Sequence, residues 1–176
     1  MVTAKKVESI KQRANTSKKL TTPTDLGDKA RIAIATSLNP LIADIFALYI
    51  KTKNFHWHVS GSHYRDYHLL FDEQADQIFA MVDVLAERIR KLGGTTIRSI
   101  GHINELTTLS DDNDEYVQAT DMVRRLMDDN KLLLGKMRET HKVCSDHKDV
   151  ATTSVLEVFI DETERRIWFL FETQSV

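Results

Sequence analysis

The chain has 176 residues, of which 41% are hydrophobic and 28% charged, and its net charge is -2. This length suits one domain with its own core, and the low content of glycine (6) and proline (2) suits a helical protein. The single cysteine, Cys144, excludes an internal disulfide, and no long apolar run or apolar leader is present. We therefore expect a soluble cytoplasmic protein that does not enter a membrane.

The positive charge is concentrated at the N-terminus. Residues 1–20 carry a balance of +5, so with a net charge of -2 the remaining residues carry -7. The basic side chains are Lys5, Lys6, Lys11, Arg13, Lys18 and Lys19. Because apolar periodicity is lacking there, residues 1–25 are predicted to form a mobile basic arm. Such an arm suits salt-dependent, sequence-independent binding of DNA phosphates, and a solvating tail without a target is the alternative.

Two long helices are predicted in the first half of the chain. From residue 28 to 59 the apolar residues recur at helical spacing, and Gly61 ends that pattern. Pro40 lies inside the pattern and predicts a kink or a restart of the helix. A second helix is predicted from residue 62 to 92, where Gly93 and Gly94 stop it.

The second half predicts a long connection followed by two more helices. Residues 95–112 form the connection, with one short helix at about residues 99–106. A third long helix is predicted over residues 114–145, and Asp146 or Asp149 can cap a fourth that runs to about residue 173. Residues 26–176 are thus predicted to form an all-α four-helix bundle. Its single long crossover is the topology of ferritin-like folds.

The second helix collects imidazoles and carboxylates at spacings of one helical turn. His68 and Asp72 share a helix face, as do Asp83 and Glu87, and such donors suit iron, zinc or manganese. The two pairs lie about 22 Å apart on a straight helix, so one ion cannot reach both. Two copies of the helix packed antiparallel about a two-fold axis would join the pairs across subunits. His56, just before the Gly61 turn, can fold back beside His68.

Each of these side chains also has an ordinary interpretation. Asp83 and Glu87 can be solvated charges, with Glu87 paired to Arg88 or Lys91, and His68 can be a hydrogen-bonded core histidine. The apolar residues of the same helix predict substantial burial, and buried carboxylates need a partner or a metal. Ferritin-type metal sites within one chain use Glu-x-x-His motifs, and the sequence contains none.

A longer stretch of sequence resembles a known family. The run KTKNFHWHVSGSHYRDYHLLFDEQADQIFAMVDVLAERIRKLGG, residues 51–94, resembles the signature of the Dps family, small ferritin-like proteins of starved or oxidatively stressed bacteria. The matching elements are His56-Trp57, the Gly61 turn, His68-x-x-x-Asp72 and Asp83-x-x-Ala86-Glu87-Arg88. The segments LNPLIADIFALYIKTKN and ETERRIWFL also look like segments of the family.

The resemblance implies a ferroxidase centre shared between subunits, with two iron ions in each centre. One subunit supplies His56, His68 and Asp72, and its two-fold neighbour supplies Asp83 and Glu87. Members of the family are hollow dodecamers that oxidise iron(II), preferably with hydrogen peroxide, and store the iron(III) mineral inside. Many also bind DNA, which implies protection of DNA and association with the nucleoid.

The roles of some further residues stay open at this point. His58 stands where asparagine is common in the family, so a third imidazole lies near the site. Trp57 can donate an electron to stray oxidant or simply pack at a subunit contact. Asp146 and Asp149 match aspartates that line a three-fold iron pore in the family, although Ser154 stands where another is often found. Simple helix capping is their alternative role.

Three functions from different classes are compatible with this pattern. The leading hypothesis is a ferroxidase and iron-storage shell that removes peroxide. The alternative is a non-enzymatic, nucleoid-compacting DNA-binding protein that keeps a structural metal site. The third is a helical interaction scaffold.

Overall fold

Five helices make up the fold, and the computed structural model describes residues 20–174 of the chain. The four long helices are α1 (Asp28–His58), α2 (Tyr64–Lys91), α4 (Ala119–Asp146) and α5 (Val150–Glu172), and the short helix is α3 (Ile100–Leu106). No strand occurs in the described range. The predicted all-α four-helix bundle, with a short helix in its long crossover, is confirmed.

The long helices pair as two hairpins. α1 packs along α2, α4 packs along α5, and α1 also contacts α3 and α4. Because the turns within each hairpin are short, the two helices of a hairpin run antiparallel. Residues 92–118 link the hairpins and carry α3. The turn between α1 and α2 is the one that matters for the site, because it sets which residues of the two helices face each other.

α1 is the central helix of the core. Its large apolar side chains that are fully buried are Ile34, Leu38, Leu41, Ile42, Ile45, Leu48 and Phe55. Among the described helices α1 alone is long and apolar enough to span a membrane by length and composition, with a mean hydropathy of 1.6 over 18 residues. Because α1 packs against three other helices, its apolar side chains are explained by their place in the protein core.

Pro40 was predicted to kink or restart the first helix, and the prediction of a restart is wrong. α1 continues without interruption from Asp28 to His58 with Pro40 inside it. A proline removes one backbone hydrogen bond from the helix, but Leu38 and Leu41 on either side are buried in the core. Tertiary packing of the neighbouring turns therefore holds the helix together across the missing bond.

The third long helix begins later than predicted, at Ala119 rather than at residue 114. Arg125 on its second turn accounts for the difference. One nitrogen of that guanidinium, Nη1, donates to the carboxylate of Asp112 at 2.7 Å and to that of Asp114 at 2.8 Å. These ion pairs hold the preceding segment outside the helix, and Val117 in the same segment is buried.

Asp44 fixes the crossover to the bundle. Its carboxylate is fully buried on α1 and accepts hydrogen bonds from Thr107 Oγ1 at 2.9 Å and from the backbone nitrogen of Leu109 at 3.2 Å. Thr108 donates to it as well, and Lys136 Nζ of α4 lies 2.6 Å away. Since a buried charge needs such partners, Asp44 ties α1, α4 and the end of α3 together.

The interior of the bundle, as formed by residues 20–174, holds a buried guanidinium. Arg166 of α5 is only 1% exposed and donates to Asn130 Oδ1 at 3.1 Å and to Thr163 Oγ1 at 2.6 Å. Burial lowers the pKa of Arg166 to about 10. Within-chain metal centres of four-helix bundles occupy this region between facing helices. Arg166 therefore lies in the region that such a centre would occupy.

Candidate metal centre

The turn between α1 and α2 brings two histidines together. The backbone nitrogen of Val59 caps α1 by donating to Phe55 O at 2.8 Å. Gly61 adopts a φ of +112°, a conformation that side chains other than glycine rarely take. The chain therefore doubles back within a few residues, and α2 begins at Tyr64. His68, one turn into α2, consequently lies beside the last turn of α1 and its His56.

His56 and His68 form a reciprocal pair. Their rings stack with centroids 3.8 Å apart and an interplanar angle of 22°. His56 Nδ1 lies 2.8 Å from the carbonyl oxygen of His68, and His68 Nδ1 lies 2.8 Å from the carbonyl oxygen of His56. Because a carbonyl only accepts, each Nδ1 carries the proton and each Nε2 of the neutral ring keeps its lone pair. Both rings are thus held as metal-ligand tautomers.

Asp72 completes this group of donors, one turn beyond His68 on α2. Its Oδ1 lies 3.7 Å from His56 Nε2, and its side chain is 44% exposed. Lys53 Nζ donates a hydrogen bond to the same Oδ1. This bond, together with the nearby positive charges, holds the pKa of Asp72 below its ordinary value, and it raises the pKa of Lys53. His56, His68 and Asp72 are called the imidazole half-site below.

Lys53 was not predicted as a site residue. It lies three residues before His56, which is one helical turn, and both are on the α1 face that meets α2. That spacing is the signal that could have identified it. Its contact with Asp72 depends on the register between α1 and α2, which periodicity does not supply.

Asp83 and Glu87, called the carboxylate half-site below, lie on the same helix but apart from the imidazoles. Both are exposed, and Glu87 pairs with Lys91 at 3.0 Å. The separation from His68 along α2 is about 22 Å. In residues 20–174 no three histidine, cysteine or carboxylate side chains of one chain meet in a metal-binding group. One chain thus places three of the five predicted ligands near one another, short of a complete metal-binding group, and leaves the other two on its surface.

Trp57 and His58 face away from the imidazole half-site. Trp57 is 62% exposed, and His58 Nδ1 lies 2.8 Å from the carbonyl oxygen of Asn54. Both border a cleft of about 630 Å³ between α1 and the crossover, called the lateral cleft below. Ile50 and Ile100 line the same cleft, and each is more than half exposed. This exposed apolar surface lies next to the site.

Asp149 and Asp146, the predicted pore residues, differ in exposure. Asp149 is buried, caps α5 by accepting from the backbone nitrogen of Thr152 at 3.1 Å, and pairs with Arg88 at 3.0 Å. Asp146 is exposed and pairs with Lys142 at 2.8 Å. The geometry of Asp149 is that of the capping alternative, and a role in a pore stays a prediction for both residues.

The predicted basic arm lies mostly outside the described residues. This applies to all six predicted DNA-binding side chains, Lys5, Lys6, Lys11, Arg13, Lys18 and Lys19. Of the predicted arm, residues 20–25 are described. There Thr22 Oγ1 donates to the carbonyl oxygen of Arg90 at 3.0 Å, and Arg90 Nη2 donates to Leu20 O at 3.2 Å. These bonds attach that part of the segment to the end of α2.

The bundle and its donors define a protein of the ferritin-like class. The ferritin-like domain family matches residues 35–174. A low temperature-induced protein of Nostoc sp. is 32% identical over 146 residues, covering 82% of each chain. A DNA protection during starvation protein of Brevibacillus brevis is 28% identical, covering 78% of this chain and 91% of its own.

A solved structure shows the same relationship. DpsC from Streptomyces coelicolor superposes with a TM-score of 0.85 at 26% identity, covering 89% of this chain and 91% of that one. The chain therefore belongs to the ferritin-like domain family and, within it, to the Dps proteins. The predicted family and fold class are confirmed.

Proposed function

We propose that this protein oxidises iron(II), preferably with hydrogen peroxide, at a centre shared between two copies of the chain. The observation that carries the proposal is the imidazole half-site. Two rings there are locked with Nε2 free, beside an ionised carboxylate. Imidazole with carboxylate is a ligand set suited to iron(II). Membership of the Dps proteins supports iron storage and DNA protection as the general area of function.

The missing ligands come from the carboxylate half-site of a second copy. An antiparallel two-fold contact between α2 helices would place Asp83 and Glu87 of each copy opposite the imidazoles of the other. Phe79, one turn before Asp83, is 50% exposed, and its ring lies 4.9 Å from that of Tyr49, a residue that lines the lateral cleft. An exposed apolar surface of this kind supports an interface there.

Iron(II) is the substrate of the proposed reaction, and the protein supplies positioning and charge. Two iron(II) ions held together can pass two electrons to one peroxide, which takes up two protons and leaves as two waters. His56 and His68 bind through Nε2, while Asp72, Asp83 and Glu87 balance the growing positive charge. Lys53 competes for Asp72, so binding of the second ion requires that ion pair to open. Iron(III) would then be stored inside a hollow shell of twelve subunits.

Complementation between two inactive variants tests the shared centre. One variant is His56→Gln with His68→Gln, and the other is Asp83→Asn with Glu87→Gln. Each alone should fail to oxidise iron(II) with peroxide under anaerobic conditions. Refolded together, they should recover about one quarter of the wild-type centres, because half of the dimers are mixed and each mixed dimer has one intact centre.

The outcomes separate the competing functions. Full activity of the Asp83→Asn and Glu87→Gln variant would show that the centre lies elsewhere. Absence of recovery in a mixture that contains mixed dimers would refute the centre shared between two copies. If wild-type protein binds metal but oxidises no iron, the alternative of a DNA-compacting protein with a structural metal site is favoured.

DNA binding through the basic arm is the second part of the proposal. The charge distribution supports this proposal: residues 1–20 carry +5 and the rest of the chain carries -7. The acidic body would repel DNA phosphates, whereas the basic arm would attract them. Several arms displayed by one oligomer would add their weak contacts. We propose that the protein protects DNA in the cytoplasm, in association with the nucleoid.

Deletion of residues 1–19 should abolish retardation of DNA at low salt while leaving iron oxidation unchanged. The matched control replaces Lys131, Lys142 and Lys148, on and after α4, with glutamine, which lowers positive charge without touching the arm. This control should still retard DNA. Unchanged retardation by the shortened chain would refute the role of the arm.

A further inference from the structure

The buried guanidinium of Arg166 has more hydrogen-bond donors than the protein around it uses. Its Nε donates to Asn130 Oδ1 of α4 at 3.1 Å, and its Nη2 donates to Thr163 Oγ1 of α5 at 2.6 Å. The other terminal nitrogen, Nη1, is buried and meets no acceptor in residues 20–174. Because a guanidinium has five N–H groups and a buried charged donor without an acceptor destabilises the fold, Nη1 needs a partner.

A buried acceptor lies on a neighbouring residue of α2. Gln74 is 2% exposed, and its Nε2 donates to the backbone carbonyl oxygen of Arg166 at 3.3 Å. This bond fixes the orientation of the amide, since exchanging its oxygen and nitrogen would set two oxygens against each other. Gln74 Oε1 is also buried and meets no donor within the described part of the chain. Two residues in contact thus present one buried donor and one buried acceptor without protein partners.

We propose that Arg166 and Gln74 bind ordered water inside the bundle, which accepts from Nη1 and donates to Oε1. Water fits this pair because it is an acceptor and a donor at once, and a buried water needs two to four polar partners. An inorganic anion can accept from Nη1 but cannot donate to Oε1, so it would leave the amide oxygen unpaired. The site is independent of the proposed oxidation of iron.

The position of the site between α2 and α5 supports this choice. The backbones of α2 and α5 come close at few points, so side chains connect the two helices in the interior. Met81 of α2 touches the same guanidinium, with its Sδ 4.0 Å from Nη2 of Arg166, but a thioether is only a weak acceptor. Water at Nη1 therefore supplies the stronger link between the guanidinium of α5 and the polar side chain of α2.

Crystals of the full-length protein soaked in sodium bromide test the site directly. At high resolution, a difference map should show a peak within hydrogen-bond distance of Arg166 Nη1, without anomalous signal from bromide. Gln74→Leu removes the amide at similar size, so the peak should be lost in that variant. The matched control is Gln77→Leu, three residues further along α2, where the side chain donates to Glu73 at 3.1 Å on the surface. This control should keep the peak.

Urea denaturation tests the link between the two side chains. Gln74→Leu and Arg166→Met should each lower the urea midpoint, and the double variant should lose less than the sum of the two, because neither unpaired group then remains. The direct bond of Gln74 ends on the backbone carbonyl of residue 166, which Arg166→Met keeps. A departure from additivity therefore reports the link through water. Gln77→Leu combined with Arg166→Met should be additive.

Each other result would overturn the inference. A peak with anomalous signal would assign an anion to the site, and the lack of any peak in wild type would show that Nη1 binds no ordered ligand. A peak that persists unchanged in Gln74→Leu would show that Gln74 does not hold the water. Additive losses in the double variant of Gln74 and Arg166 would show that no link joins the two side chains.

Discussion

The imidazole half-site and the carboxylate half-site lie on one helix but differ in how far a single chain organises them. His56 and His68 are locked to each other by ring stacking and by two hydrogen bonds to backbone carbonyls. Asp83 and Glu87 have no such support, and Glu87 shares a surface ion pair with Lys91 in which both side chains are more than half exposed. Folding of one chain therefore orders the imidazole half-site and leaves the carboxylate half-site exposed to solvent.

This difference teaches how one helix can serve the proposed centre, which two copies of the chain would share. The imidazoles are the ligands whose tautomer and orientation must be fixed, and the α1–α2 turn fixes both. Carboxylates bind through either oxygen and need less orientation, so they can arrive from a second copy. Because the proposed ligands would be divided in this way, tight metal binding is expected to depend on assembly.

Removing a histidine of the imidazole half-site should have the largest effect on iron oxidation and on stability. His56→Ala removes one ligand, the ring stack and one of the two backbone bonds. We expect iron oxidation to fall by more than about 100-fold. The free energy of unfolding should fall by about 1–2 kcal/mol, as measured by urea denaturation, because a hydrogen bond at the α1–α2 turn is lost.

His58→Ala is the matched control, two residues further along α1. His58 is exposed and bonds only within its own helix, so its loss should change stability by less than about 0.5 kcal/mol. It should also leave iron oxidation near wild type. If the two variants behaved alike, the ring stacking and backbone hydrogen bonds of His56 would not preorganise the imidazole half-site.

Lys53→Met should have an intermediate effect. With the competing cation removed, Asp72 is free for metal, so binding of a second cobalt(II) ion per centre should tighten by up to about tenfold, or ~1.4 kcal/mol. Isothermal titration calorimetry on the assembled protein measures the second ion separately from the first. Unchanged or weaker binding of that ion would mean that Lys53 positions Asp72 and does not compete for it.

The same variant changes how stability depends on pH. Lys53 lowers the pKa of Asp72 in the folded state, so the stability from this pair is present above the ordinary carboxyl value of 3.8 and is lost as the pH falls through the lowered value. At the alkaline end it is lost as the pH rises through the raised pKa of Lys53. Lys53→Met should therefore lose stability between these limits, by less than about 1 kcal/mol because solvent screens the pair. Urea titrations at several pH values measure this.

The sequence predicts that His56 and His68 come together, but it does not predict the hydrogen bonds that hold them. Helical spacing and the Gly61 turn were enough to bring His56 beside His68, because both signals are local. The reciprocal bonds and the contact between Lys53 and Asp72 depend on how α1 and α2 slide against each other, which no local pattern determines. The late start of α4 had a similar cause, since Arg125 reaches back to Asp112 and Asp114.

Burial on α2 was overestimated for a related reason. The apolar residues of the helix predict substantial burial, yet within one chain Phe79 is half exposed and Asp83, one turn later, is on the surface. Apolar periodicity predicts that one face of a helix is buried, but it does not show whether the same chain or a second copy buries that face. A residue that packs between copies therefore carries the same signal as one in the core.

The smallest effect is expected from breaking the surface pair of the carboxylate half. Lys91→Met removes the ion pair with Glu87, which is an exposed pair one helical turn apart, and should change the free energy of unfolding by less than about 0.5 kcal/mol. Lys142→Met breaks the similarly exposed pair with Asp146 and should have the same small effect on unfolding. Only Lys91→Met frees a proposed ligand, so cobalt(II) binding should be kept or strengthened in that variant and unchanged in the other. A clear loss of binding in Lys91→Met alone would show that Lys91 holds Glu87 in place for the metal, and the carboxylate half would then be preorganised as well.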